Sequence, residues 1–286
     1  MGEVTATHLK LFHSLWGFSG TWQQAIARAK ASGFDGLEVN LLHPSLKGCE
    51  PLWASELLQA SGLGLIVELI TGGDYVPDLS VSPEQHLAEL TEQLPRAEHL
   101  QPQRITLITG SDSWSEAHQD DFLKAALDLV ETCSVPVSFE THRSRTLFNP
   151  WTIAARLERH PRLRLTADLS HWCVVSERLM TPELALIRTM ANRVDHIHAR
   201  VGHAQGPSVS HPFAPEAGEA LEAHRRCWAL FIDSQMGRGV ERPTITPEFG
   251  PDGYLPTLPF TGVPVADLLE INTAMAQWLK QGALNR

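Results

Sequence analysis

The chain has 286 residues, 43% of them hydrophobic, which is enough to bury one large core. Its 23 Lys and Arg residues against 33 Asp and Glu give a formal net charge of −10, which repels phosphate backbones and argues against a nucleic-acid partner. No apolar run approaches the roughly 20 residues needed to cross a membrane, residues 1–6 carry no signal-peptide pattern, and the cysteines form no CxxC pair. These features predict a cytoplasmic protein with reduced thiols.

Short apolar stretches alternate with stretches of helical spacing along the chain. The predicted strands lie at residues 9–17, 36–42, 63–71, 104–110, 135–141, 163–168, 194–201 and 242–250. The predicted helices lie at residues 21–32, 52–60, 82–99, 115–133, 150–159, 181–193, 215–235 and 265–281. Strands that alternate with helices over short connections form a parallel sheet, and about eight such units favour closure. We therefore predict an α/β protein, a single (β/α)8 TIM barrel domain over residues 1–286.

The last four predicted strands each end near a side chain that can bind a metal: Glu140, Asp168, His198 and Glu248. The carboxyl ends of parallel strands meet at one end of a barrel, so these side chains are expected to converge there. Three carboxylates and one imidazole suit a hard or borderline divalent ion. Each residue alone is weak evidence, and Asp168 could instead cap the next turn through Ser170.

Further polar residues accompany this set. His171 follows the strand-six Asp by three positions and is a candidate for contact with substrate or metal. His196 and His198 share one face of a strand because side chains alternate, so we assign His196 as a packed partner deeper in the barrel. Arg200 falls on the same face and is a candidate for binding substrate oxygens. Glu68 lies inside the third predicted strand without an assigned role.

The stretches SFETH, TADLSHW, DHIHAR and TPEFGP resemble the xylose isomerase-like barrel superfamily, in its sugar isomerase and epimerase branch, which is related to endonuclease IV. The resemblance implies that Glu140, Asp168, His198 and Glu248 bind one divalent metal. It also implies that His171 contacts substrate or a further metal.

The departures from endonuclease IV are informative. Its relatives carry extra histidines on strands three and four, where this chain ends its strands at Gly72 and Gly110. The loop after His198 also lacks an Asp-x-His pair. A three-zinc nuclease site is therefore not expected, in agreement with the acidic charge.

The predicted ligands suit proton abstraction next to a carbonyl. A bound ion, Mn²⁺ by preference but also Mg²⁺, Co²⁺ or Zn²⁺, would polarise the carbonyl, and Glu140 and Glu248 would act as base and acid. Return of the proton gives epimerisation or aldose–ketose isomerisation of a carbohydrate. Two alternatives remain: a lyase of the keto-inositol dehydratase or 3-keto-glycoside eliminase type, and a non-catalytic sugar-binding subunit.

The substrate pocket is only loosely defined by the sequence. Aromatic residues after predicted strands could stack on a sugar ring, and a homo-oligomer is expected by analogy alone. The residues predicted to contact substrate are His13, His142, His171, Trp172 and Arg200.

Overall fold

The computed structural model describes residues 9–284, so residues 1–6, where no signal pattern is predicted, lie outside the described residues. Eight parallel strands form a closed barrel in chain order, because the last strand pairs with the first. This confirms the predicted (β/α)8 TIM barrel. The strands are β1 (Lys10–Ser14), β2 (Gly36–Asn40), β3 (Gly64–Ile70), β4 (Arg104–Ile108), β5 (Val137–Glu140), β6 (Leu165–Asp168), β7 (Val194–His198) and β8 (Thr244–Thr246).

The helices surround this barrel and follow the strands along the chain. They are α1 (Trp22–Ala31), α2 (Pro51–Ala60), α3 (Pro83–Glu98), α4 (Glu116–Val130), α5 (Pro150–Arg159), α6 (Leu169–Val175), α7 (Leu184–Met190), α8 (Gly218–Gly237) and α9 (Leu268–Lys280). Across residues 9–284, none of these helices is both long enough and apolar enough to cross a membrane.

Local chemistry sets many helix boundaries. Thr21 and Ser82 form capping boxes at the starts of α1 and α3, and each side chain accepts a hydrogen bond from a backbone N–H of the first turn. Proline occupies the first turn of α2, α3 and α5, where its missing N–H is not needed. Gly33 follows α1 with φ of +73°, a left-handed conformation that favours glycine.

The strands are apolar on the face towards the helices and largely polar on the face towards the barrel interior. Alternate residues such as Leu37, Val67 and Ile197 join the hydrophobic core between sheet and helices. The intervening residues face the barrel interior, where several bond to one another across the barrel. This polar interior contains Glu38, Glu68, Thr106, Ser138, Glu140, Thr166, His196, His198, Thr244 and Thr246.

Three elements differ from the prediction. β8 covers only Thr244–Thr246 because prolines at 243 and 247 remove the N–H groups that a longer strand would use. The short helix α6 was not predicted. The predicted helix at 181–193 is divided into two 3-10 turns that flank α7.

Candidate metal centre

The four predicted ligands meet at the carboxyl end of the barrel. Glu140, Asp168 and His198 are the last residues of β5, β6 and β7, and Glu248 lies two residues beyond β8. One ligand atom from each lies within 4.8 Å of those of the other three, and all four residues are buried. The structure therefore brings together residues separated by more than one hundred positions in sequence.

Two atoms of this cluster indicate that it fits a metal. His198 Nδ1 lies 3.4 Å from Glu140 Oε2 and 3.1 Å from Glu248 Oε2. Both His198 Nδ1 and Glu140 Oε2 are buried without a hydrogen-bond partner. A nitrogen lone pair facing two carboxylates requires a proton or a cation between them. The nitrogen and oxygen donors suit a divalent ion such as Mn²⁺, Mg²⁺ or Zn²⁺.

Asp168 uses its two oxygens for different purposes. Its Oδ1 accepts hydrogen bonds from Ser170 N at 2.8 Å and Ser170 Oγ at 2.6 Å, and so caps α6. Its Oδ2 faces the cluster and accepts a hydrogen bond from Arg200. The capping interaction that the sequence offered as the alternative is thus present together with the position at the site.

Arg200 has no spare donor. Its Nε donates to Ser170 Oγ at 3.0 Å, and Nη1 donates to the backbone oxygen and Oε2 of Glu248 at 3.3 and 3.2 Å. Nη2 donates to Asp168 Oδ2 and, at 2.8 Å, to His171 Nε2. All five N–H groups of the guanidinium are therefore used. Its predicted contact with substrate stays a prediction, since it would require release of one of these bonds.

His171 and His142 lie beside the cluster. His171 Nε2 is 3.6 Å from Asp168 Oδ2 and 4.0 Å from Glu140 Oε1, and the centroids of the two imidazole rings are 3.9 Å apart. Burial lowers the pKa of both histidines well below the usual value, and nearby arginines lower it further. Both rings are thus neutral at pH 7. His171 Nε2 already accepts from Arg200, whereas His142 Nδ1 donates to the backbone oxygen of Arg143 and leaves the Nε2 lone pair of His142 available to a polar group.

Two carboxyl groups of the cluster, those of Glu140 and Asp168, have raised pKa values. Burial raises the pKa of Glu140, while the charge of His198 opposes this rise. Burial also raises the pKa of Asp168, and Arg200 opposes that rise. Both effects follow from crowding acidic groups in a site with little water.

A small cavity opens onto the cluster. Its volume is about 10 Å³, which is room for roughly one water. We call this space the cavity; it is lined by Trp16, Glu68, Tyr75, Ile108, Glu140, His142, Arg200, Glu248 and Tyr254.

Three aromatic residues from different loops cover the cavity, and we call them the roof: Trp16, Tyr75 and Tyr254. Trp16 contacts both tyrosines, with ring centroids 5.5 Å from Tyr75 and 4.8 Å from Tyr254. Trp16 Nε1 also donates to Asp252 at 2.9 Å. Tyr75 directly follows the Gly-Gly-Asp turn at 72–74, and the sequence analysis assigned it no role.

Arg145 holds the backbone of the roof residue Tyr75 and of the neighbouring loops by hydrogen bonds. Its guanidinium donates to the backbone oxygens of Thr71 at 2.7 Å, Gly110 at 3.1 Å and Tyr75 at 3.1 Å, and also to that of Asp74. One buried side chain from the loop after β5 thus holds the loops after β3 and β4.

A second polar layer lies beneath the cluster. We call it the floor; it consists of Glu38, Thr106, His196 and Thr246. Glu38 receives hydrogen bonds from the three other floor residues and from His198. The sequence analysis missed Glu38, although a charged residue inside the apolar strand GLEVN was an available signal.

Glu68 belongs to the cavity instead. Its Oε1 accepts a hydrogen bond from Asn40 Nδ2 at 3.1 Å. Burial raises its pKa well above the usual value, and the charges of Glu140 and Glu248 raise it further. The protonated form of Glu68 is therefore favoured relative to an exposed glutamate.

The structure does not bring two predicted contact residues to the site. His13 stacks on Phe34, with ring centroids 5.0 Å apart, because its neighbour Phe12 occupies the interior-facing position of β1. Trp172 lies on α6 and is fully buried in the hydrophobic core. Neither residue lines the cavity.

Comparison with protein-family models gives no match for this sequence. Comparison with curated proteins gives none either.

Solved structures give clear matches. A probable 3-DHS dehydratase involved in petrobactin synthesis in Bacillus anthracis superposes with a TM-score of 0.64 at 15% identity, over 95% of this chain and 98% of that one. An L-ribulose 3-epimerase gives 0.65 at 14% identity, over 96% of this chain and 94% of that one. A xylose isomerase-like TIM barrel protein from Mycobacterium smegmatis, in complex with magnesium, gives 0.65 at 13% identity over 99% of both chains. The chain therefore has the fold of the xylose isomerase-like TIM barrels, as its strand-end motifs predicted.

Proposed function

We propose that this protein is a divalent-metal-dependent isomerase or epimerase of a small carbohydrate with a carbonyl group. The observation that carries the proposal is the convergence of Glu140, Asp168, His198 and Glu248 beneath a covered cavity. A buried cluster with two unpartnered ligand atoms has no evident structural purpose, since it stabilises the fold poorly in the absence of a cation.

The residues present fit one divalent ion, and Mn²⁺ is our first choice. A bound ion of this kind supplies Lewis-acid polarisation of a substrate carbonyl and its adjacent hydroxyl. The magnesium complex of the Mycobacterium smegmatis protein with this fold agrees with a metal of the same class.

Glu140 and Glu248 are our candidates for the base and the acid. They reach the cluster from β5 and from beyond β8, and both line the cavity. A carboxylate on one side removes the proton next to the carbonyl, and the other returns it. Return to the opposite face of the same carbon gives an epimer, whereas return to the neighbouring carbon gives the isomer.

The rest of the cavity suits binding of a polyol. The roof offers aromatic faces that pack on a sugar ring, and the neutral His142 can hydrogen-bond a hydroxyl group. Closure of the roof also excludes water from the proton-transfer steps.

The test is deuterium exchange from D₂O. Free ketoses, inososes and 3-keto-sugars are incubated with Mn²⁺-loaded protein, and NMR or mass spectrometry follows exchange at the carbon next to the carbonyl. We expect exchange with wild type and a loss of at least about 100-fold in Glu140→Gln, as is typical when general base catalysis is removed.

The control is Glu222→Gln, which makes the same chemical change on the outer helix α8, away from the site. We expect this variant to keep full exchange. Mn²⁺ occupancy is measured in both variants, so that loss of metal is separated from loss of the base. Absence of exchange on the whole panel, with metal bound, would refute the isomerase and epimerase proposal.

A further inference from the structure

Glu38 is held by donors from three other strands. Its Oε1 accepts hydrogen bonds from His198 Nε2 at 3.1 Å and Thr106 Oγ1 at 3.2 Å. Its Oε2 accepts from His196 Nε2 at 3.1 Å and from Thr246 Oγ1. Glu38 is only 3% exposed, so these four donors replace its water shell completely.

This arrangement fixes the direction of each donor. A carboxylate only accepts hydrogen bonds, so His198 must present an N–H at Nε2. Each oxygen of Glu38 already has two donors from different strands, so the carboxylate cannot rotate without breaking several bonds. The orientation of the His198 ring is thereby set from below.

The other nitrogen of His198 faces the metal cluster. With the Nε2 proton directed to Glu38, Nδ1 points towards Glu140 Oε2 and Glu248 Oε2 and has no hydrogen-bond partner. A metal-bound histidine commonly donates its second N–H to a carboxylate, which fixes the tautomer and strengthens the ligand.

We propose that Glu38 is the positioning residue of the metal centre: it fixes the tautomer and ring orientation of His198 so that Nδ1 binds the metal. The inference rests on the proposed metal site but not on any particular reaction. It adds a fifth residue, from β2, to a site otherwise built from the second half of the barrel.

The test is the affinity for Mn²⁺ alone, measured by isothermal titration calorimetry on wild type, Glu38→Gln and Glu68→Gln. The amide of Glu38→Gln offers one accepting oxygen where the carboxylate offers two, so His198 and His196 compete for it. We expect the dissociation constant to rise about 10- to 100-fold, the range found when such carboxylate partners are removed.

Glu68→Gln is the matched control. Glu68 is equally buried, on the neighbouring strand, but makes no hydrogen bond to any of the four ligands, and its bond from Asn40 can persist in the amide. We expect its Mn²⁺ affinity to stay within about twofold of wild type. If Glu38→Gln also binds Mn²⁺ like wild type, the positioning role is refuted.

A second measurement does not depend on a folded variant. Nitrogen-15 NMR of wild type loaded with diamagnetic Zn²⁺ reports the protonation of each imidazole nitrogen. We expect His198 to carry its proton on Nε2 and none on Nδ1, and the reverse tautomer would overturn the inference. Metal binding with this tautomer, but without deuterium exchange on any substrate, would refute the proposed reaction and leave the inference intact.

Discussion

Glu38 of the floor and Glu68 of the cavity are both buried glutamates, but they differ in their hydrogen bonds and in the direction of their pKa shifts. Glu38 is 3% exposed and Glu68 5% exposed, on adjacent strands. Glu38 accepts hydrogen bonds from four side chains, whereas Glu68 accepts one, from Asn40. Burial acts to raise the pKa of Glu38, but the charges and hydrogen bonds of His198 and His196 hold it well below the usual value.

Burial alone therefore does not set the charge of a carboxyl group in this barrel. The number of donors and the sign of the neighbouring charges decide it. The floor favours the ionised form of Glu38 beneath the cluster of Glu140, Asp168, His198 and Glu248, and the cavity favours the protonated form of Glu68. The first arrangement favours a cation above it, whereas the second does not keep a fixed negative charge.

The largest expected effect comes from removal of the Glu38 carboxyl group, and removal of the Glu68 carboxyl group is the comparison. Glu38→Leu removes the shared acceptor of four buried donors, of which Thr106 and His196 keep a second partner in Thr166 and Thr246. We expect the free energy of unfolding of the metal-free protein to fall by about 3–5 kcal/mol. Glu68→Leu removes one hydrogen bond and a poorly solvated acid, so we expect a loss of about 1 kcal/mol or less. Urea unfolding measures both values, and equal losses would show that the donors around Glu38 do not determine its contribution.

His224 shows how burial changes the pKa of a titratable group that has no carboxylate partner. His224 Nδ1 donates to the backbone oxygen of Ala220 at 2.8 Å, and Nε2 accepts from Gly202 N at 3.2 Å. Burial lowers its pKa from 6.5 to about 4. As the pH falls, the imidazole of His224 therefore binds a proton in the unfolded chain before it does so in the folded protein. The contribution of His224 to stability is complete above about pH 6.5 and is lost as the pH falls towards 4. We expect this loss to reach about 3 kcal/mol.

Urea unfolding at a series of pH values between 7 and 4.5 measures this loss. The variant His224→Gln cannot take up the proton, so its stability should depend less steeply on pH by about one proton over this range. An unchanged slope would contradict the assignment of the pKa to His224.

A smaller effect than those of Glu38→Leu and of His224 protonation is the stabilisation of the fold by bound metal. At a Mn²⁺ concentration 100 times the dissociation constant, binding should add about 2.7 kcal/mol to the stability of wild type, or a rise of roughly 5 °C in Tm. At the same concentration, Glu38→Gln should gain half of this or less, and Glu68→Gln should gain as much as wild type. Differential scanning calorimetry with chelator and with Mn²⁺ measures the shifts, and the absence of any shift in wild type would contradict the metal site itself.

The barrel and the convergence of Glu140, Asp168, His198 and Glu248 could be predicted because both depend on local sequence patterns. Apolar strands alternate with helices, and parallel strands of a barrel end on the same side. Glu140, Asp168 and His198 needed only their positions at strand ends. Glu248 was found by the same reasoning, although β8 ends before it.

The role of Glu38 could not be predicted in this way. Its partners His196 and His198 lie 158 and 160 positions away, so the hydrogen bonds depend on closure of the barrel. The structure places His13 away from the cavity for a different reason. A position near a strand end does not show which face of the strand the side chain occupies. Trp172 was misplaced because α6 was not predicted, and this helix turns the indole into the core.

We expect the roof to limit how fast a ligand can reach the site. The space beneath it holds roughly one water, so binding of the proposed sugar substrate would require Trp16, Tyr75 or Tyr254 to move away. Motions of this kind take microseconds to milliseconds, and binding that waits for them is slower than diffusion allows. Arg145 holds the backbone of Tyr75 through a hydrogen bond, so we expect it to influence the rate of association.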